Sequence, residues 1–157
     1  MITIVSGDID SGKTRYLKKH YEQERKGDGF LSRKHYKDEH CIGYDMYHLK
    51  SGKSRAFIRL KTCLPNNWDE CCDIGRFSFS EQGMLLAKSI LNNINSGPIY
   101  IDEIGPIELW FKKGFYNDLK ELIKKDIDLY LTLRPTLIQE FHDEFGLSGK
   151  TKLITLK

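Results

Sequence analysis

Short runs of apolar and β-branched residues alternate along the chain with longer stretches in which apolar side chains recur every three or four positions. The first spacing is typical of buried strands, and the second of helices that pack on one face. This order predicts an α/β domain with a predominantly parallel sheet and helices on both faces. The predicted strands cover residues 2–6, 29–32, 41–49, 54–60, 99–101, 127–133 and 153–156, and the predicted helices cover residues 13–24, 80–94, 115–125 and 136–145.

The middle of the chain has the least regular pattern. Two alternating segments, residues 41–49 and 54–60, flank Lys50-Ser51-Gly52-Lys53 as the strands of a hairpin would. A chain of 157 residues fits one domain and is long enough to bury roughly 70% of the surface of its unfolded form. We therefore expect one domain over residues 1–157, with a hairpin-containing insertion at residues 28–78.

Composition is that of an ordinary globular protein, with 39% hydrophobic and 30% charged residues. No apolar run approaches the ~18 residues of a membrane span. The net charge of +3 is spread over mixed clusters, which argues against nucleic acid as a partner. Met1 leads at once into an apolar strand, which leaves no room for a signal peptide and predicts a cytoplasmic protein. The four cysteines lack the spacing of a zinc site and are expected to be free thiols.

The strongest chemical signal lies between the first predicted strand and the first predicted helix. Gly7, Gly12, Lys13 and Thr14 there fit the pattern G-x-x-x-x-G-K-S/T of a phosphate-binding loop. Backbone N–H groups of such a loop, at a helix N-terminus, favour phosphate oxygens. The lysine is expected to reach the β and γ phosphates, and the threonine hydroxyl to bind Mg²⁺. The predicted phosphate-binding residues are Gly7, Asp8, Ile9, Asp10, Ser11, Gly12, Lys13, Thr14 and Arg15.

A second signal is an acidic pair after an apolar strand. The strand at residues 99–101 delivers Asp102 at its C-terminal end, where open α/β sheets bind ligands. An acid there can hold Mg²⁺, so Thr14 and Asp102 are the predicted metal residues. Glu103 follows directly and can polarise a water for in-line attack on the γ phosphate. The alternative for Glu103 is a cap or a salt bridge in the adjacent loop.

Arg134 follows the strand predicted at residues 127–133, near the nucleotide edge of the sheet. A cationic side chain at that edge could stabilise charge on the transferring phosphoryl group. An arginine before Pro135 could equally be a solvated loop residue. Together with Lys13 and Glu103, Arg134 completes the set of predicted catalytic residues.

The sequence D-E-I-G-P-I-E-L at residues 102–109, together with the loop at residues 7–14, resembles the thermophile and cancer-related nucleoside-triphosphatase family. That family reads close to D-E-I-G-x-M-E-L at this place. Three further matches occur in the same order, G-F at residues 29–30, I-G-Y-D at residues 42–45 and I-G-R-F at residues 74–77. The resemblance implies a RecA-like P-loop fold with an inserted hairpin region, and slow hydrolysis of nucleoside triphosphates to diphosphates with broad base tolerance.

The chain departs from the family in its phosphate loop. Ile9-Asp10 stands where the family commonly carries Pro-Gly, and Arg15 where it carries Thr or a small residue. Asp8 and Asp10 bring two carboxylates close to a bound triphosphate. Each such approach would weaken binding by about 1 to 4 kcal/mol, unless the side chains turn outward or Mg²⁺ and Arg15 offset them. Reduced affinity or turnover is therefore expected.

Two other functions stay open at this point. A nucleoside or nucleotide kinase could use residues 28–78 as its acceptor site or lid, because the same fold serves both reactions. The acidic pair and the lack of an arginine-rich lid favour hydrolysis. A nucleotide-gated switch could use Trp68, Trp110 and Phe111 as contacts to a protein partner, although large aromatic residues are more often buried. No N-K-x-D motif follows a strand, so the sequence predicts no preference among nucleobases.

Overall fold

The computed structural model describes residues 1–157 and contains nine strands and five α-helices. The strands are β1 (Ile2–Ser6), β2 (Asp28–Lys37), β3 (His40–His48), β4 (Ser54–Leu60), β5 (Glu70–Ile74), β6 (Phe77–Ser80), β7 (Ile99–Ile101), β8 (Leu129–Leu133) and β9 (Thr151–Thr155). The helices are α1 (Lys13–Glu24), α2 (Glu81–Asn92), α3 (Pro106–Leu109), α4 (Tyr116–Lys124) and α5 (Ile138–Phe145). All nine strands form one sheet in the order β5-β6-β4-β3-β2-β7-β8-β1-β9.

The sheet has a parallel half and an antiparallel half. β2, β7, β8, β1 and β9 are parallel neighbours. From β2 outwards, β3, β4, β6 and β5 continue the sheet with antiparallel pairing. The predicted hairpin is present as β3 and β4. Residues 28–78 thus contribute strands to both halves of the same sheet.

Both faces of the sheet carry helices, because side chains along each strand alternate between two buried layers. The larger layer contains 24 buried apolar residues, among them Met84 of α2, Leu119 of α4 and Phe141 of α5. The smaller layer packs Leu17 of α1 against residues of β1, β2 and β7. Helices on both faces are therefore confirmed. None of the helices is both long and apolar enough to cross a membrane.

Most predicted boundaries hold to within a few residues, and the differences have local causes. Ser80 caps α2 from the position before the helix, because its Oγ accepts a hydrogen bond from Gly83 N at 3.0 Å. Pro135 opens a turn of 3₁₀-helix, so α5 begins at Ile138. The sequence does not predict β5, β6 or α3, because these short segments lack the continuous apolar run that marks β1 and β7.

A β-bulge in β4 re-aims its side chains. Tyr44 pairs with Ile58 and Asp45 pairs with Ala56, so Phe57 has no partner residue on β3. An extra residue of this kind bends the strand and can turn consecutive side chains to one face. Phe57 and Ile58 are accordingly both buried in the larger core layer. Both residues also line a cavity beside the phosphate loop.

Candidate functional site

The phosphate loop connects β1 to α1, and its two glycines make close turns. Gly12 precedes the helix with a φ of +94°, a left-handed conformation that glycine adopts without strain. A Cβ on Gly7 would lie 2.3 Å from Ser11 Oγ, so only glycine fits there without a shift. Ser11 N donates a hydrogen bond to the Asp8 carbonyl at 3.2 Å. The loop therefore curls over the N-terminus of α1.

Lys13 lies folded back over this loop. Its Nζ donates hydrogen bonds to the Gly7 and Asp8 carbonyl oxygens, both at 2.7 Å. Only 9% of the residue is exposed. The ammonium group is thus held by loop carbonyls, and the buried stem fixes its position.

Asp102 follows β7, and its carboxylate is held from three directions. Oδ2 accepts hydrogen bonds from Thr14 Oγ1 at 2.7 Å and from Ser32 N at 3.0 Å. Oδ1 accepts one from Thr132 Oγ1 at 2.7 Å. Burial raises the pKa of Asp102, whereas these hydrogen bonds favour the ionised form. The two predicted metal residues, Thr14 and Asp102, are therefore in direct contact.

Glu103 has an uncommon backbone conformation, with a φ of +61°. Its N–H donates a hydrogen bond of 2.6 Å to Thr132 Oγ1, which fixes this turn at the end of β7. Non-glycine residues with such φ values are few and cluster at functional sites. The side chain borders an open recess, so water reaches its carboxylate.

Surrounding protein and neighbouring charges change the acidity of Glu103. Protein atoms packed around Glu103 take away part of its solvent and raise the pKa of Glu103 to about 7, and the nearby Asp102 carboxylate contributes in the same direction. Arg134, Lys13 and Lys34 lower the pKa of Glu103. These three cations place positive charge around the carboxylate.

A recess of about 570 Å³, which we call the phosphate recess, gathers most of the predicted site residues. Those that line it are Ile9, Asp10, Ser11, Gly12, Lys13, Thr14, Arg15, Glu103 and Arg134. The three other predicted residues lie behind the lining of the recess. Lys13 contacts Gly7 and Asp8, and Thr14 contacts Asp102. Arg15 and Arg134 are both exposed at its border.

The structure also reveals residues that the sequence did not single out. Thr132 joins Asp102 and Glu103 through one hydroxyl. The sequence could have indicated Thr132, because it is a polar residue inside an apolar run at the end of a predicted strand. Lys34 pairs with the Asp10 carboxylate, whose side chain is 66% exposed. The carboxylate of Asp10 is therefore neutralised by Lys34, and no local pattern indicated this contact.

The oxygen donors of the site suit Mg²⁺. This ion prefers oxygen ligands, and the Thr14 hydroxyl and Asp102 carboxylate supply them at the loop. Ser32 Oγ and Ser11 Oγ are buried and have no hydrogen-bond partner, and both residues line the phosphate recess. Buried hydroxyls are normally satisfied, so these two are available to a ligand or its water shell. The residues present therefore fit the ion.

The fold and this site define the class of the molecule: it is a P-loop protein that binds nucleoside triphosphates. The chain belongs to the NTPase family, which it matches over residues 2–157. It is accordingly a nucleoside triphosphatase, and the resemblance seen in residues 102–109 is confirmed. No curated protein sequence matches the chain.

Two solved structures share the fold. One is the solution structure of a human cancer-related nucleoside triphosphatase, with a TM-score of 0.71 and 23% identity, covering 99% of this chain and 88% of that one. The other is the crystal structure of THEP1 from the hyperthermophile Aquifex aeolicus, with a TM-score of 0.75 and 22% identity, covering 100% of this chain and 90% of that one. The predicted P-loop fold is thereby confirmed.

Proposed function

We propose that the protein hydrolyses nucleoside 5'-triphosphates to diphosphate and phosphate in a Mg²⁺-dependent reaction, slowly and with broad base tolerance. The observation that carries this proposal is the position of Glu103. It follows Asp102 directly, borders the phosphate recess and is open to water. This position supports a role in which the carboxylate meets a water that approaches the terminal phosphate of a nucleotide bound at the loop.

The phosphate loop and Lys13 would bind the triphosphate. The ammonium of Lys13 already donates hydrogen bonds to two loop carbonyls. Phosphate oxygens would replace these neutral acceptors with charged ones, which form stronger hydrogen bonds. Thr14 and Asp102 would hold Mg²⁺, which supplies charge neutralisation to the β and γ phosphates when it is bound. The same two residues are hydrogen-bonded to each other.

Glu103 would accept a proton from the attacking water. The water oxygen then bonds to the γ phosphorus, and the bond from that phosphorus to the β–γ bridging oxygen breaks. Arg134 borders the same recess, and its positive charge would stabilise the phosphoryl group during transfer. Thr132 acts through Glu103, since its hydroxyl orients the Glu103 backbone.

Separate features of the phosphate recess support slow turnover and loose base choice. The Arg134 side chain is exposed and forms no hydrogen bond or ion pair that would order it, so it must be positioned during each reaction. The walls of the recess beyond the loop are cationic, with Arg15, Lys18 and Arg33. Such side chains recognise phosphate groups that all nucleotides share.

Phosphate release with Mg²⁺ and each of ATP, GTP, CTP and UTP, without any acceptor, tests the proposal. We expect slow release from all four nucleotides and none from Lys13→Ala. Nucleotide binding without phosphate release from any of the four would contradict hydrolysis. Omission of Mg²⁺ should abolish release, and activity that persists in excess chelator would contradict the role of the ion.

An exposed aromatic pair favours a second candidate, a nucleotide-gated switch. Trp110 and Phe111 follow α3 and are 57% and 54% exposed, whereas large aromatic residues are more often buried. Trp68 is less exposed, and its Nε1 donates a hydrogen bond to Ser78 Oγ at 2.8 Å. A protein partner that accelerates phosphate release, and fails to do so with Trp110→Ala, would establish the switch. The single domain over residues 1–157 and the cytoplasmic location stay predictions.

A further inference from the structure

A second cavity of about 630 Å³ opens from the phosphate recess, and we call it the apolar cavity. The two spaces share seven lining residues, and Lys13, Glu103 and Arg134 are the predicted catalytic residues among them. Thr14 and Arg15, which follow the lysine on α1, border the phosphate recess alone. Since the lysine would reach the β and γ phosphates, these three shared residues mark the end of the nucleotide that carries the γ phosphate. The apolar cavity therefore lies beyond that phosphate.

The floor of the apolar cavity is the antiparallel half of the sheet. Strand register places Lys34, Tyr44, Ile58 and Phe79 side by side across β2, β3, β4 and β6. This row begins at the phosphate recess, where Lys34 lies, and continues into the apolar cavity. The sheet thus connects the two spaces without a break.

Aromatic rings form much of the wall. Phe57, the unpaired residue of the bulge in β4, lies with its ring centroid 5.4 Å from that of Phe79 and 6.2 Å from that of Phe115. All three residues line the cavity. Cavities of 300 to 1,000 Å³ with apolar walls and few polar groups are typical of sites for small organic ligands. Rings arranged in this way favour a flat aromatic ligand.

Charges are concentrated at the end nearest the phosphates. Away from that end only Arg76 and Glu108 carry charge. Arg76 is exposed, and both carboxylate oxygens of Glu108 accept hydrogen bonds from backbone N–H groups, those of Gly105 and Phe115. A ligand must therefore be apolar over most of its length and polar where it meets Glu103.

We infer that the apolar cavity binds an aromatic alcohol whose hydroxyl lies beside Glu103 and accepts the γ-phosphoryl group of the nucleotide. Attack by water needs no cavity of this size, and a water molecule finds few hydrogen-bond partners between apolar walls. The hydroxyl of such an alcohol would donate a hydrogen bond to the Glu103 carboxylate, and the aromatic ring of the alcohol would pack among the phenylalanines. The inference rests on the same phosphate site as the proposed function, and concerns a different acceptor.

The transfer balances without a further reactant. The alcohol oxygen forms a bond to the γ phosphorus, and the bond from that phosphorus to the β–γ bridging oxygen breaks. The alcohol proton passes to Glu103, and the nucleoside diphosphate leaves. The products are a phosphate monoester and the diphosphate, in place of the free phosphate that water would give.

Binding of 2-naphthylmethanol to the protein, measured by isothermal titration calorimetry, is the first arm of the test. Leu60 lines the cavity on β4, and Leu60→Trp should fill it. Leu85 on α2 is 55% exposed and does not line the cavity, so Leu85→Trp is the matched control. We expect saturable binding to the wild-type protein and Leu85→Trp, and at least about 10-fold weaker binding to Leu60→Trp, a change of about 1.4 kcal/mol.

A second variant that fills the apolar cavity keeps the test decisive if Leu60→Trp does not fold. Thermal unfolding shows whether Leu60→Trp folds, and Ile74→Phe on the edge strand β5 fills the same cavity if it does not. Absence of saturable binding to the wild-type protein would overturn the inference. Equal affinity in folded filling variants would overturn it as well.

The second arm measures transfer. Wild-type protein with Mg·ATP and 2-naphthylmethanol should form 2-naphthylmethyl phosphate, detected by chromatography, and the ADP formed should equal the sum of the monoester and the free phosphate. The matched ligand 2-methylnaphthalene, which has no hydroxyl, should bind and give no monoester. Saturable binding of the alcohol without monoester would overturn its role as acceptor. Phosphate release without alcohol tests hydrolysis separately, so monoester formation with no such release would remove the proposed function and keep this inference.

Discussion

Thr14 Oγ1 donates a 2.7 Å hydrogen bond to Asp102 Oδ2 across 88 residues of sequence. The hydroxyl belongs to the first turn of α1, and the carboxylate follows β7. β8 lies between β1 and β7 in the sheet, so the ends of these parallel strands meet at one edge. The hydrogen bond joins the two strongest signals of the sequence into one oxygen-rich site.

Glu103→Gln should lower phosphate release by about 10²-fold or more, because the amide keeps the shape of the side chain and cannot accept the proton of the water. Nucleotide binding should change little, since the phosphate loop is intact. Stopped-flow phosphate release and equilibrium nucleotide binding measure the two effects. Glu121→Gln, at an exposed position of α4, is the control. Unchanged turnover in Glu103→Gln would remove the residue from the mechanism.

Lys13→Ala should lose both binding and turnover. The change removes the only ammonium held over the loop by the Gly7 and Asp8 carbonyls, and charge-assisted hydrogen bonds to phosphate are strong. We expect an increase of about 10²-fold or more in the nucleotide dissociation constant, measured by calorimetry. Lys19→Ala, exposed on the same helix, should retain the wild-type affinity. Similar affinities in the two variants would contradict the assignment.

Thr132→Val should destabilise the protein by about 1–3 kcal/mol, because one hydroxyl serves both the Asp102 carboxylate and the Glu103 N–H. Urea unfolding gives the free energy of unfolding, and phosphate release should fall in parallel because the Glu103 turn loses its anchor. Thr136→Val is the matched control at an exposed position. An unchanged unfolding midpoint would show that the hydroxyl does not support the site.

Asp10→Gly and Asp10→Asn separate backbone strain from charge. Asp10 has a φ of +64°, which glycine adopts freely and asparagine tolerates better than most residues. Its ion pair with Lys34 is largely exposed and contributes about 0.2–1 kcal/mol at most. Both variants should bind Mg·ATP several-fold more tightly, because they remove a carboxylate from the loop. Weaker binding in both would show that the Lys34 pair organises the loop.

Glu108 should make stability depend on pH. Burial raises the pKa of Glu108 to about 7, above its ordinary value of 4.5. The folded state therefore holds the proton more tightly than the unfolded state. The free energy of unfolding should fall by about 3 kcal/mol at most as the pH rises from about 4.5 to about 7. The slope should be smaller in Glu108→Gln, measured by urea unfolding at several pH values, and equal slopes would contradict this origin.

The sequence was most informative where a residue's role is local. The place of Gly12, Lys13 and Thr14 in one loop could be predicted because their spacing alone sets the loop geometry, and that of Asp102 because it ends a short apolar strand. Their meeting followed from the rule that parallel strands present their C-terminal ends to one edge. The P-loop fold class was predictable for the same reason.

Contacts that depend on strand register were not predictable. Lys34 reaches Asp10 because β2 continues to Lys37, well beyond β7 to which it is paired at its start. The apolar cavity depends on the bulge at Phe57, and no period in residues 54–60 indicates an extra residue. Both features are set by pairing across the sheet, which a single sequence does not display.

The position of β1 has a consequence for synthesis of the chain. β1 anchors the phosphate loop, yet its two neighbours are β8 and β9, whose residues lie more than 120 positions later. A nascent chain that emerges from the ribosome therefore carries the loop long before either neighbouring strand exists, and pairings so distant in sequence form late. The nucleotide site should be the last part of the sheet to assemble, so incomplete chains should not bind nucleotide.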